Sequence, residues 1–113
     1  MRPKALGATH VGVWLGGGAV YHNAPGHGEH VSSVADFANG ASVAVVRTNA
    51  DASTVVARVR TRLVTPQSYD VVNNNCEHAA NAVVTGRAVS PQLQAVVIIA
   101  IGVLMLYCIA RRL

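Results

Sequence analysis

The sequence predicts an α+β fold: a small antiparallel sheet with packed helices, followed by a C-terminal transmembrane helix. Three observations carry this. Val11, Val13 and Leu15 alternate with His10, Gly12 and Trp14 ahead of Gly16-Gly17-Gly18, the pattern of a β-hairpin. Asp51–Leu63 and Cys76–Thr85 repeat apolar residues at helical spacing. Leu93–Ala110 is apolar except for Gln94. The chain therefore divides into one domain over residues 1–90 and an anchor over 91–113.

The elements follow in order. If all three glycines form the turn, Leu15 pairs with Ala19. His22 then lies opposite Gly12 and diagonal to His10, on the same face. A two-residue loop would change the parity and put the two imidazoles on opposite faces. Asn23–His30 reads as a loop by its Pro and Gly content. Val31–Phe37 is ambiguous, and Ser42–Arg47 reads as a second strand region. The helix over Asp51–Leu63 presents Val55, Val56, Val59 and Leu63 on its apolar face, with Arg58 and Arg62 on the polar side, and Pro66 ends it. Tyr69–Val72 is a short extended segment. Asn73-Asn74-Asn75 offer an N-cap to the helix from Cys76 to Thr85, and Gly86 is its natural stop. Ser90-Pro91 is cap and first-turn proline of the last helix. That helix is about 27 Å long over its apolar residues, at the short end for a bilayer span.

Composition narrows the function classes. The chain is 51% hydrophobic but only 4% aromatic, so its core rests on Val, Ala and Leu. A domain this small is marginally stable by burial alone, so membrane attachment or self-association as a homo-oligomer would add to it. The net charge is +4, but the nine cations are dispersed with no basic run, which argues against nucleic-acid binding. Cys76 lies in a polar motif and Cys108 in the apolar tail, so no disulfide framework is expected and a reducing compartment fits. The start, MRPKALGATH, has no apolar stretch of the signal-peptide kind.

The chemistry-bearing residues are few. A thiolate is favoured at a helix N-terminus, and Cys76 opens a helix behind three capping asparagines. A neighbouring imidazole completes a nucleophile–base pair, and a second imidazole can orient the first. His10 and His22 are placed for those roles, although each alone, like Cys76, also suits a purely structural position. His22, His27, Glu29 and His30 are zinc ligands by type, but their spacing matches no zinc signature, so no metal or other cofactor is expected.

HVGVWLGGGAVYH resembles the histidine box of the lecithin:retinol acyltransferase family, with the family spacing between His10 and His22. NNNCEH resembles its Asn-Cys box, with Tyr69 upstream also in place. GRAVSPQL and the apolar tail look most like the small phospholipase A and acyltransferase branch. The resemblance implies a permuted papain-like (NlpC-like) thiol-enzyme fold. It implies Cys76 as the acyl-accepting nucleophile, His10 as base and then acid, and His22 as the group that orients His10. It further implies Asn75 as a helper at the oxyanion site, with Glu77 and His78 structural. The substrate would be a membrane glycerophospholipid, and the domain would be cytosolic on a single-pass tail anchor. Two other readings use the same scaffold: a non-catalytic, membrane-associated interaction protein of viral type, and a thiol peptidase or amidase. The family usually has a strand ahead of the histidine box and Phe-Val where Ala79 and Ala80 stand.

Overall fold

A computed structural model describes residues 2–3 and 9–112. The order is β1 (Arg2–Pro3), β2 (Thr9–His10), β3 (Gly12–Gly16), β4 (Ala19–Ala24), β5 (Gly28–Ser33), α1 (Val34–Ala38), α2 (Ala52–Val64), α3 (Cys76–Thr85) and α4 (Pro91–Arg112). β1 and β2 form a small antiparallel pair, so a strand does precede the histidine box. The second sheet is antiparallel in the order β3-β4-β5. This is the expected α+β class with a small antiparallel sheet.

The first hairpin keeps the expected register by a different route. Gly12 pairs with His22 and Trp14 with Val20, but Gly16 pairs with Ala19, so the turn is Gly17-Gly18 alone. Both have positive φ, 60° and 77°, as the preferred two-residue hairpin turn demands. The register shifts between Trp14 and Gly16, placing a bulge at Leu15. That extra residue offsets the parity change of the shorter loop and returns His22 to a position opposite Gly12. The strand predicted from His10 is interrupted at Val11, and His10 belongs to β2.

Asn23–His30 is not a loop. It holds the end of β4, a tight turn and the start of β5. Pro25 and Gly26 occupy the centre of that turn, Gly26 has φ 79°, and the His27 amide donates to the Ala24 carbonyl at 3.1 Å. Pro then Gly at the two central positions is the type II signature. Ser42–Arg47, expected as a strand, is irregular, and Val45 and Val46 are exposed. Among the described residues it joins neither sheet. Tyr69–Val72 is likewise not extended: Asp70 bridges to Asn74 and closes a turn.

Tyr21, Val55, Val59, Ala79 and Val83 form the core, so α2 and α3 pack on one face of β4. Asp51 caps α2 by accepting from the Thr54 amide. Arg58 does not stay on a solvated face: its guanidinium donates to the carbonyls of Val83 and Val84 at the end of α3. α3 runs over the predicted residues, with Asn75 as N-cap and Gly86 as C-cap.

α4 is 22 residues long, and Ile98, Ile101, Leu104, Met105, Leu106 and Ile109 are exposed along it. Among the described residues, no helix is long and apolar enough to cross a membrane. The transmembrane crossing expected for Leu93–Ala110 is therefore not supported.

Candidate functional site

The site is assembled on β4. His22 lies opposite Gly12, whose lack of a side chain leaves room for Val20 and the Phe37 ring. His10, at the end of β2, approaches His22 with its Nε2 3.0 Å from His22 Nδ1. His22 Nε2 is 2.8 Å from Ser32 Oγ on β5. Phe37 of α1 stacks on His10 at a centroid distance of 5.1 Å and meets His22 edge-on at 5.2 Å. His10 is 1% and His22 5% exposed, so this is a buried pair. The structure thus brings the two predicted imidazoles together.

A Cβ on Gly12 would lie 2.7 Å from Val20 Cγ1, 2.8 Å from Phe37 Cε2 and 3.0 Å from the Tyr21 carbonyl oxygen. Gly12→Ala is therefore expected to cost about 1–3 kcal/mol by overpacking. The same crowding should push Phe37 off His10. A denaturant midpoint measures the first effect, and a changed ring environment for His10 in NMR the second.

Cys76 opens α3 and is 2% exposed. Its approach to β4 is set by Asn74. The Asn23 amide, next to His22 on the strand, donates to the Asn74 carbonyl at 2.7 Å. Arg62 Nη2 donates to Asn74 Oδ1 at 3.2 Å. Asn74 is thus clamped from β4 and from α2, two residues before the thiol.

Asn75, expected to help at the oxyanion site, caps α3. Its Oδ1 accepts from the His78 amide at 3.0 Å, and its amide group donates to the Val71 carbonyl and to Ser90 Oγ. The His78 ring returns the bond by accepting from the Asn75 backbone N–H, which completes a capping box. Glu77 accepts from Ser90 Oγ at 2.7 Å and from the Gln92 amide at 2.9 Å. The first turns of α3 and α4 are therefore bolted together beside Cys76.

Behind the strand lies a buried polar cluster. Glu29, with no exposed side-chain surface, accepts from the Tyr21 hydroxyl, from Arg62 Nε and from the Gln67 amide. Burial pushes the Tyr21 phenol above its ordinary range, the Glu29 carboxylate adds to this, and Arg62 opposes it. Tyr21 therefore stabilises the fold as a neutral phenol. That stability is complete below about pH 10 and is lost as pH rises toward the folded-state value. Tyr21→Phe should flatten this alkaline limb in thermal melts across pH, at a cost of about 1 kcal/mol at neutral pH from the lost hydrogen bond.

Of the four residues considered as zinc ligands, Glu29 is engaged with Arg62, and His30 Nδ1 contacts the Gly28 carbonyl at 2.9 Å. Among the described residues no group of three or more metal-type side chains converges. Sequence reasoning missed Ser32, Phe37 and Arg62. Ser32 was hidden because β5 begins inside an apparent loop. Phe37 sat in a segment with no clear period, and Arg62 looked solvated.

An apolar groove of about 430 Å³ has Phe37, whose ring touches both imidazoles, in its lining, while His10, His22 and Cys76 do not line it. Gly12 and Phe37 line the end near the histidines, Ala80 lies one turn beyond Cys76, and Trp14, Val45 and Val84 extend the lining outward.

A buried imidazole pair, one ring from β2 and one from β4, with a helix that begins at a cysteine packed on β4, suits a thiol enzyme of the α+β class. The sequence model of the lecithin retinol acyltransferase family matches residues 2–89, and the chain belongs to that family. Its members are generally acyltransferases and phospholipase-type enzymes. No curated protein and no solved structure matches the chain.

Proposed function

We propose that the protein is a thiol-dependent phospholipase A and acyltransferase acting on glycerophospholipids through an acyl-Cys76 intermediate. The observation that carries this is the buried His10–His22 hydrogen bond at 3.0 Å, in a family of acyl-transferring enzymes. In the proposed reaction the Cys76 thiol passes its proton to His10, and the sulfur attacks the ester carbonyl. Collapse of the tetrahedral intermediate breaks the ester C–O bond, and His10 returns the proton to the departing lysophospholipid oxygen. Water, an amine or a second lipid hydroxyl then attacks the thioester, giving its proton to His10, and the thiol is regenerated.

Two features support a lipid substrate. The apolar groove that includes Phe37 is within the usual size range for a small-molecule site and is lined mainly by apolar side chains. The exposed apolar residues of α4 suit attachment to a lipid surface, which places the domain where its substrate is concentrated. The bolt from Asn75 and Glu77 to Ser90 would hold the Cys76 end of α3 next to that surface. Truncation before Leu93 should then release the protein from membranes in a pelleting assay. Incubation with vesicles of labelled phosphatidylcholine should yield lysophospholipid and fatty acid or an acylated acceptor. Intact lipid after prolonged incubation would count against the reading.

Filling the groove is a more local check. Ala80→Trp should raise the apparent KM for long-chain phospholipid at least tenfold, with a smaller effect on a short-chain ester. Each methylene denied burial is worth about fourfold in affinity. Equal effects on both substrates would place the acyl chain elsewhere.

The burial of Cys76 gives one competing reading some footing, that of a non-catalytic interaction protein on the same scaffold. A thiol-reactive, lipid-like probe separates the two: the enzyme is labelled at Cys76, the interaction protein is not.

A further inference from the structure

Ser32 meets His22 and ends the line of polar contacts that leads to His10. We infer that Ser32 is a positioning residue that fixes the tautomers of His22 and His10, so that His10 presents Nδ1 as its basic nitrogen. The inference rests on the proposed role of His10 as base.

Ser32 has one hydroxyl hydrogen, and its Oγ lies 3.1 Å from the Ser33 carbonyl oxygen, which can only accept. In the inferred arrangement the hydroxyl donates there and not to His22 Nε2. Its oxygen then accepts at 2.8 Å from His22, which requires the proton on His22 Nε2. A neutral imidazole carries one N–H, so His22 Nδ1 is an acceptor. The partner of His22 Nδ1 is His10 Nε2, at 3.0 Å, which must then be the donor. A neutral His10 with its proton on Nε2 holds its lone pair on Nδ1.

The chain also serves the charged state. When His10 takes the thiol proton, its Nε2–H strengthens its bond to His22 Nδ1, because hydrogen bonds from ionised donors are stronger than neutral ones. His22 keeps that acceptor free only while its own proton stays on Nε2. Ser32 is half-buried at the rim of the sheet, so its replacement removes the acceptor without opening the core.

The test is ring-nitrogen NMR of the full chain in detergent, at about pH 8, above the ordinary imidazole range. His10 and His22 should each show separate Nδ1 and Nε2 signals, with the proton on Nε2. In Ser32→Ala the His22 signals should move toward a common averaged value, and Ser32→Thr should restore them. On phosphatidylcholine, Ser32→Ala should lower kcat about tenfold with KM within twofold, the size of one lost hydrogen bond. Two results overturn the inference: His10 or His22 protonated on Nδ1 in the unsubstituted protein, or Ser32→Ala spectra with both tautomers unchanged. Either stands independently of lipid turnover. A protein with the expected tautomers and no lipid turnover would refute the enzymatic reading while leaving the proton chain intact.

Discussion

Cys76→Ser is expected to lower acyl transfer from phospholipid by about 10⁴-fold or more, the usual cost of removing one member of a nucleophile–base unit. The substitution changes volume little at a buried site, so the protein should keep its melting temperature within a few degrees. His10→Ala is expected to reach a similar loss by removing the proton acceptor. It also removes the ring that stacks on Phe37, so some stability is lost with it. Because the two residues act as one unit, the double variant should be no slower than the slower single one. Additive losses would show that His10 works in some other way. Normal phospholipid turnover in either single variant would mean that the nucleophile has been misassigned.

Arg62→Met is expected to have the largest effect on stability. Arg62 is the cation that pairs with Glu29, whose side chain is fully buried. Removing the guanidinium leaves a carboxylate in the interior with the Tyr21 hydroxyl and the Gln67 amide as its remaining partners. An uncompensated buried charge costs about 3–5 kcal/mol. A domain of this size has about 5–10 kcal/mol of stability in total. Arg62→Met should therefore lower the denaturant midpoint severely. Arg62→Lys, which keeps the cation near Glu29, should cost much less. Combining Arg62→Met with Glu29→Gln should recover part of the loss, because the buried charge goes with its partner. If Arg62→Met and Arg62→Lys are equally mild, the cluster does not hold the fold. Arg62 also grips Asn74, so Arg62→Lys should slow catalysis more than it destabilises the protein.

What was legible in the sequence was what local chemistry decides. Asn75 caps α3 and Gly86 ends it because a short polar side chain and a left-handed glycine are needed at those two positions. The spacing of Val55 and Val59 placed the buried face of α2. The pairing of His10 with His22 was legible from the register that the glycine run implied, although the bulge at Leu15 was not. A shorter turn plus a bulge gives the same register as a longer turn, and alternation alone cannot separate them. Elsewhere tertiary context overrode local signals. Pro25-Gly26 marks a tight turn between two strands, not the loop its composition suggested. Ser42–Arg47 has strand composition but lines the groove as irregular chain. Arg58 and Arg62 stand at the helical positions of a solvated face, yet their long side chains reach back to α3, Glu29 and Asn74. Partners so distant in sequence leave no mark on local pattern.

The central claim is that the Cys76 sulfur carries the acyl group. The direct measurement uses Cys108→Ser protein, so that the exposed tail thiol cannot compete. The protein is mixed with vesicles of acyl-labelled phosphatidylcholine, quenched in acid and digested, and the Cys76 peptide is weighed by mass spectrometry. The account predicts a peptide heavier by one acyl group, sensitive to hydroxylamine and absent from the His10→Ala variant. Phospholipid cleavage that proceeds while the Cys76 peptide keeps its unmodified mass throughout would contradict it.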